Sequence, residues 1–286
     1  MPLNGDTLHL GNISKPLLLF GGPYSNWQAL EAVKQVAVEQ SIAPDHVICT
    51  GDIVAYCGQP VETTQSIRDW GIHVLMGNCE ESFATSADDC GCGFGDGTAC
   101  DLLSVEWFRF ANAQVPHDQR EWFAQLPRKI CFMAAGRSAE VVHGSVTQIN
   151  RFMYASQPDS DFNAELSHSD ADLIIAGHSG IPFSRLISSQ NNQRLWHNTG
   201  AIGMPANDGT TNTWYSILYP ENNGVRIETH RLEYNQKSAI EAMQAVGLNN
   251  GYAACLQSGY WPSMDVLPEP EKQQQGTPLH LLTTRF

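Results

Sequence analysis

Four residues of this chain have the types and the setting to hold a metal ion: Asp52, Asn78, His143 and His178. Asp52 supplies a hard carboxylate, the two histidines supply imidazole nitrogens, and Asn78 supplies an amide oxygen. Such a mixed set suits zinc, manganese or iron better than calcium or a soft metal in a thiolate cage. Each residue also has a plainer use. An Asp after Gly caps helices and turns, a lone His at a strand end forms local hydrogen bonds, and Gly-Asn is a common turn pair. Their joint placement argues for a site. Each stands just past a short apolar run that reads as a strand, and in open α/β sheets ligands bind where loops leave the carboxyl ends of strands.

The cysteines form a second group. There are eight, and Cys57, Cys79, Cys90, Cys92 and Cys100 crowd one stretch. Cys90-Gly91-Cys92 with Cys100 lacks the paired C-x-x-C spacing of a structural zinc site. Two readings stand: free thiols in a Gly-rich lid, or thiols that ligate a metal or pair by oxidation.

The elements that must position these residues follow from periodicity and breakers. Residues 16–20 read as a buried strand ended by Gly21-Gly22-Pro23, and 27–40 carry a helical apolar pattern. Residues 46–50 form another strand that runs into Gly51-Asp52, followed by a helix at 60–70 and a strand at 72–76. That rhythm predicts parallel β-α-β units. Residues 86–100 are rich in Gly, Asp and Cys and read as a long irregular loop. Helices at 101–114 and 118–126 come next, then strands at 130–134 and 139–143 and an apolar strand at 171–176 that ends at Gly177-His178. Residues 213–219 and 225–232 read as a hairpin turning at 221–224. A helix at 238–245 and a polar stretch at 269–276 lie within a C-terminal segment, 238–286. No internal repeat is visible.

Bulk properties narrow the class. The 286 residues are 42% hydrophobic, enough for a sizeable core, and are read as one domain, 1–286. No apolar run is long enough for a membrane span. The start carries no secretory pattern, so the expected location is cytoplasmic, with reduced thiols. A net charge of -14 argues against nucleic acid as a partner but admits small phosphorylated substrates, since a bound cation reverses the local field. Oligomeric state is not legible.

The motifs together resemble the calcineurin-like metallophosphoesterases, particularly the small bacterial branch. Gly51-Asp52, Gly77-Asn78-Cys79-Glu80, Val142-His143-Gly144 and Gly177-His178-Ser179-Gly180 follow that family's motif order, and 198–209 resembles its loop after the site. The resemblance spans roughly residues 16–245. It implies a four-layer α/β sandwich of two mixed sheets flanked by helices, with hairpin 213–232 in the second sheet. It also implies a second-metal site held by Asp52, Asn78, His143 and His178, and one divalent transition metal (zinc, manganese or iron). The departures concern chemistry. Gly22 and Tyr24 stand where the family's first motif has Asp and His, an alignment fixed by Ser25-Asn26 and Ala29-Leu30. Gly180 replaces the last histidine, so an ordinary pair of metals is not expected. Cys79 stands at a histidine that assists phosphate binding and leaving-group protonation. The implied activity is hydrolysis of a phosphate mono- or diester, with Cys79, His143 and His178 as catalytic candidates. The alternatives are a non-catalytic metal-binding or sensing member, or a hydrolase whose metal centre is rebuilt by Cys79, Cys90, Cys92 and Cys100.

Overall fold

Leu17, Leu18, Leu19 and Phe20 are buried at every position, so this strand needs a packed layer on each face. The computed structural model, which describes residues 7–95, 97–189, 192–280 and 283–286, supplies both layers. The chain runs β1 (Thr7–Ile13), β2 (Leu17–Phe20), α1 (Trp27–Glu39), β3 (Val47–Cys49), α2 (Pro60–Trp70), β4 (His73–Val74) and α3 (Asn78–Thr85). It continues through α4 (Ala99–Gln114), α5 (His117–Phe123), β5 (Lys129–Ala134), β6 (Arg137–Val141), α6 (Asp159–Leu166), β7 (Leu173–Ala176), β8 (Phe183–Ser189) and β9 (Asn192–Asn198). It ends with β10 (Thr213–Glu221), β11 (Gly224–Leu232), α7 (Gln236–Ala245), α8 (Gly251–Ser258), α9 (Glu269–Gln273) and β12 (Thr284–Arg285).

The strands form two mixed six-stranded sheets, ordered β1-β5-β6-β7-β9-β8 and β12-β11-β10-β2-β3-β4. Leu17 and Leu19 meet Ile130, Val141 and Ile175 between the sheets. Leu18 and Phe20 join Leu30, Val33 and Ile67 under the helices on the outer face. On the opposite outer face, Ile174 and Trp196 pack with Phe162 and Leu166 of α6. The four-layer sandwich is therefore as the motifs implied. The hairpin β10–β11 joins the sheet of β2, with Ser216 opposite Leu19.

Several elements differ from the sequence reading. Residues 183–198 form a hairpin that their polar composition concealed; β8 is an edge strand and carries no continuous apolar run. Edge strand β1 hides in the same way. The strand expected at 72–76 shrinks to His73–Val74, and Asn78 opens a helix rather than lying in a loop. The expectation of reduced thiols throughout fails at one place. Cys90 and Cys92 form a disulfide, with Cα atoms 5.3 Å apart, because Gly91 turns the chain at φ +62°. The other six cysteines are free.

One polar chain crosses the sandwich. His197 on β9 bonds Ser184 Oγ at 2.8 Å and Ser216 Oγ of the other sheet at 2.9 Å. Burial pushes its imidazole down to about 3. The folded value lies below the unfolded one near 6.5, so the unfolded chain takes up the proton first. Stability linked to His197 is full above about pH 6.5 and is lost as pH falls toward 3. At pH 5 the loss is about 2 kcal/mol. In urea unfolding between pH 6.5 and 4.5, His197→Gln should flatten the pH slope by up to about one proton. An unchanged slope would show that this imidazole is not held neutral.

Candidate metal centre

The carboxyl ends of β3 and β4 in one sheet meet those of β6 and β7 in the other, and both pairs are parallel. Asp52 follows β3, Asn78 follows β4, His143 follows β6 and His178 follows β7. All four are buried. The structure brings them to one point. His143 Nε2 lies 3.0 Å from Asn78 Oδ1, 3.1 Å from His178 Nδ1 and 3.2 Å from Asp52 Oδ2, and His178 Nδ1 lies 3.8 Å from Asp52 Oδ2.

One proton can be placed by elimination. His143 Nδ1 faces the Thr50 carbonyl at 2.6 Å, and a carbonyl only accepts, so Nδ1 carries a proton and Nε2 is the nitrogen turned to the centre. Asn78 Nδ2 donates to the Cys90 carbonyl at 3.0 Å, which turns Oδ1 inward. Nε2, an amide oxygen and a carboxylate oxygen thus face one another, an arrangement that could hold a cation. Donors about 2.0–2.2 Å from one ion at tetrahedral angles stand roughly 3.3–3.6 Å apart, and the distances here bracket that spacing. Among the described residues, Asp52, His143 and His178 form the convergent His/Cys/Asp/Glu group, and no cysteine sulfur belongs to it.

Burial opposes ionisation of Asp52, but His143 and His178 outweigh it and hold the carboxyl well below its usual range. Burial lowers His143, but Asp52 overcomes it and raises the imidazole. His178 is pushed down, chiefly by burial. Its Nε2 has no hydrogen-bond partner, and Phe152 tilts over the ring at 4.3 Å.

Glu80 organises the centre, a part that the sequence reading did not assign. Its Oε2 accepts from the amides of Asp52 (2.7 Å) and Gly77 (3.0 Å). Its Oε1 accepts from Ile53 (2.8 Å) and Val54 (3.4 Å). These bonds hold Asp52 in a left-handed conformation, φ +58°. The available signal was a glutamate three residues after the helix-capping Gly77.

The other expected site residues fall around this centre. Cys79 is buried on α3; its amide lies 3.3 Å from Asp52 Oδ1, and burial, then Asp52, raises its thiol. Cys79 Sγ and Cys92 Sγ each lie 3.5 Å from Asn78 Nδ2, so the Cys-rich loop does fold back here. Cys100 lies apart, at the start of α4, lining a cavity with Ser263 and Val266. The Tyr24 ring covers Gly22 so closely that a Cβ at 22 would overlap it. A Cβ at Gly180 would stand 3.5 Å from Trp261 Cζ2 and 3.8 Å from Tyr24 Oη. Aromatic rings therefore fill the side of the site where Gly22 and Gly180 lie.

Residues 26–222 match the calcineurin-like phosphoesterase superfamily domain. The chain belongs to that family. It is 26% identical over 235 residues to an uncharacterised protein of Methanocaldococcus jannaschii, covering 76% of this chain and 87% of that one. The fold is similar to a metallophosphoesterase from Sphaerobacter thermophilus, with a TM-score of 0.66, 19% identity, and 86% of this chain and 100% of that one covered. It is also similar to a hypothetical protein from Pyrococcus horikoshii, with a TM-score of 0.70, 16% identity, and 85% and 98% covered. No helix among the described residues is long and apolar enough to cross a membrane.

Glu80→Gln keeps the size of the side chain but aims an NH2 at backbone donors. Each buried donor left unpaired costs about 1–3 kcal/mol, so chemical unfolding should show a loss of about 2–4 kcal/mol. A loss under about 0.5 kcal/mol would remove Glu80 as the organiser.

Proposed function

We propose that this protein is a hydrolase of small phosphate esters that works with one divalent metal held by Asp52, Asn78, His143 and His178. The observation that carries the reading is the convergence of Asp52 Oδ2, Asn78 Oδ1, His143 Nε2 and His178 Nδ1 on one point. Zinc, manganese or iron fits the donor set. When bound, such an ion supplies Lewis-acid polarisation of a phosphoryl oxygen and lowers the pKa of a water.

The chain's own residues supply the rest. Tyr24 lines the cavity beside His178 and Gly180. Burial, then the Asp52 carboxylate, keeps its phenol well above the ordinary range. It therefore stays a neutral donor, able to hydrogen-bond an oxygen whose charge grows during P–O cleavage. Cys79 sits where the family has a histidine. As a neutral buried thiol it does not repel phosphate, and it is a weaker proton donor than an imidazolium. Among the described residues no Lys or Arg lines the cavity, so the ion and the Tyr24 phenol meet the substrate's charge.

A second reading has its own support. The ring of Tyr24 over Gly22 removes half of a two-metal clamp, as a non-catalytic metal-binding member would tolerate. Turnover separates the two. The metal-loaded protein should hydrolyse a simple monoester or diester with at least one of zinc, manganese and iron. Tyr24→Phe should lower kcat about 10- to 100-fold with metal content unchanged. Absence of turnover with every metal and both ester types would leave the non-catalytic reading. Full activity in Tyr24→Phe would remove the phenol from the mechanism.

A further inference from the structure

We infer that the aromatic cavity beside His178 is a subsite for one planar six-membered ring, the alcohol-side group of the phosphate ester. This rests on the hydrolase reading, because His178, one of the four proposed metal residues, lines the cavity. Its volume is about 60 Å³. Tyr24 meets Tyr56 edge-on at 4.8 Å, and Tyr56 stacks on Tyr252 at 4.4 Å. Phe94 stacks on Phe152 at 6.2 Å, and Phe152 leads to His178. Trp261 closes a further side over Gly180, whose missing side chain leaves the space open.

Chemistry selects the occupant. Among the described residues no Asp, Glu, Lys or Arg lines the cavity, so they offer nothing to an anion beyond the His178 end. Ring walls favour another ring, edge-on or offset. At about 60 Å³ the cavity is smaller than the roughly 150 Å³ apolar cavity that takes up benzene, so its walls grip one edge of a ring rather than enclose it.

The inference also gives the unusual segments a role. The Cys-rich loop contributes Phe94 and Cys100, and the C-terminal segment contributes Trp261 and Val266. Ala99 N donates to Asp265 Oδ2 at 2.8 Å, which ties the two together. Asn150 Nδ2 donates to the Gly91 carbonyl at 3.0 Å beside the Cys90–Cys92 disulfide and holds the stretch before Phe94 down. Trp261 and Val266 lie outside the family match at 26–222.

Phenylphosphonate and methylphosphonate carry the same anion and no cleavable ester. In calorimetric titration of the manganese-loaded protein, phenylphosphonate should bind at least about tenfold more tightly, and phenol alone should compete with it. Trp261→Ala should reduce the preference to about twofold, and Trp261→Phe should keep most of it. Equal affinities for the two phosphonates would overturn the subsite while leaving the metal reading intact. An unchanged preference in Trp261→Ala would also overturn it. Phenol binding without phosphonate binding would uphold the subsite and sink the hydrolase reading instead.

Discussion

The hydrogen bond from His143 Nδ1 to the Thr50 carbonyl joins the two sheets at the site and decides which imidazole nitrogen faces the centre. With Nδ1 committed to Thr50, Nε2 is left to face Asn78 Oδ1 and Asp52 Oδ2. Under the metal reading proposed above, a cation joining these donors would offset the cost of gathering them in a buried site. Glu80 performs the same service for the backbone. Its four amide partners hold the Asp52 loop in a conformation that an unsupported aspartate would leave.

Under the proposed reading, a dication beside Asp52 would reverse the local field inside a protein whose formal charge is -14, and that reversal would admit a phosphate. Tyr24 over Gly22 and Trp261 beside Gly180 place rings rather than donors on the neighbouring side.

The fold was legible where physics is local. The double burial of 17–20 and the strand–helix rhythm to residue 76 are written in adjacent residues, and the order of Gly-Asp, Gly-Asn, His-Gly and Gly-His motifs pointed to the sandwich. Strands β1 and β8 were not legible, because edge strands need no continuous apolar run. Asn78 was placed past a strand correctly, but its helix starts without a side-chain cap and so gave a weak start signal. The four converging donors could be named from the sequence, whereas the protons on His143 and the amide direction of Asn78 depend on the carbonyls of Thr50 and Cys90. Tyr56, Phe152 and Trp261 share no spacing at all. Only the folded chain brings them to one cavity.

The central claim is the proposal that Asp52, Asn78, His143 and His178 hold one metal ion. Elemental analysis of protein purified without added metal, repeated after incubation with manganese and desalting, tests it directly. The account predicts one equivalent of a borderline divalent metal per chain, and none in His178→Ala. Two equivalents in the wild-type protein, or none after manganese is supplied, would contradict it.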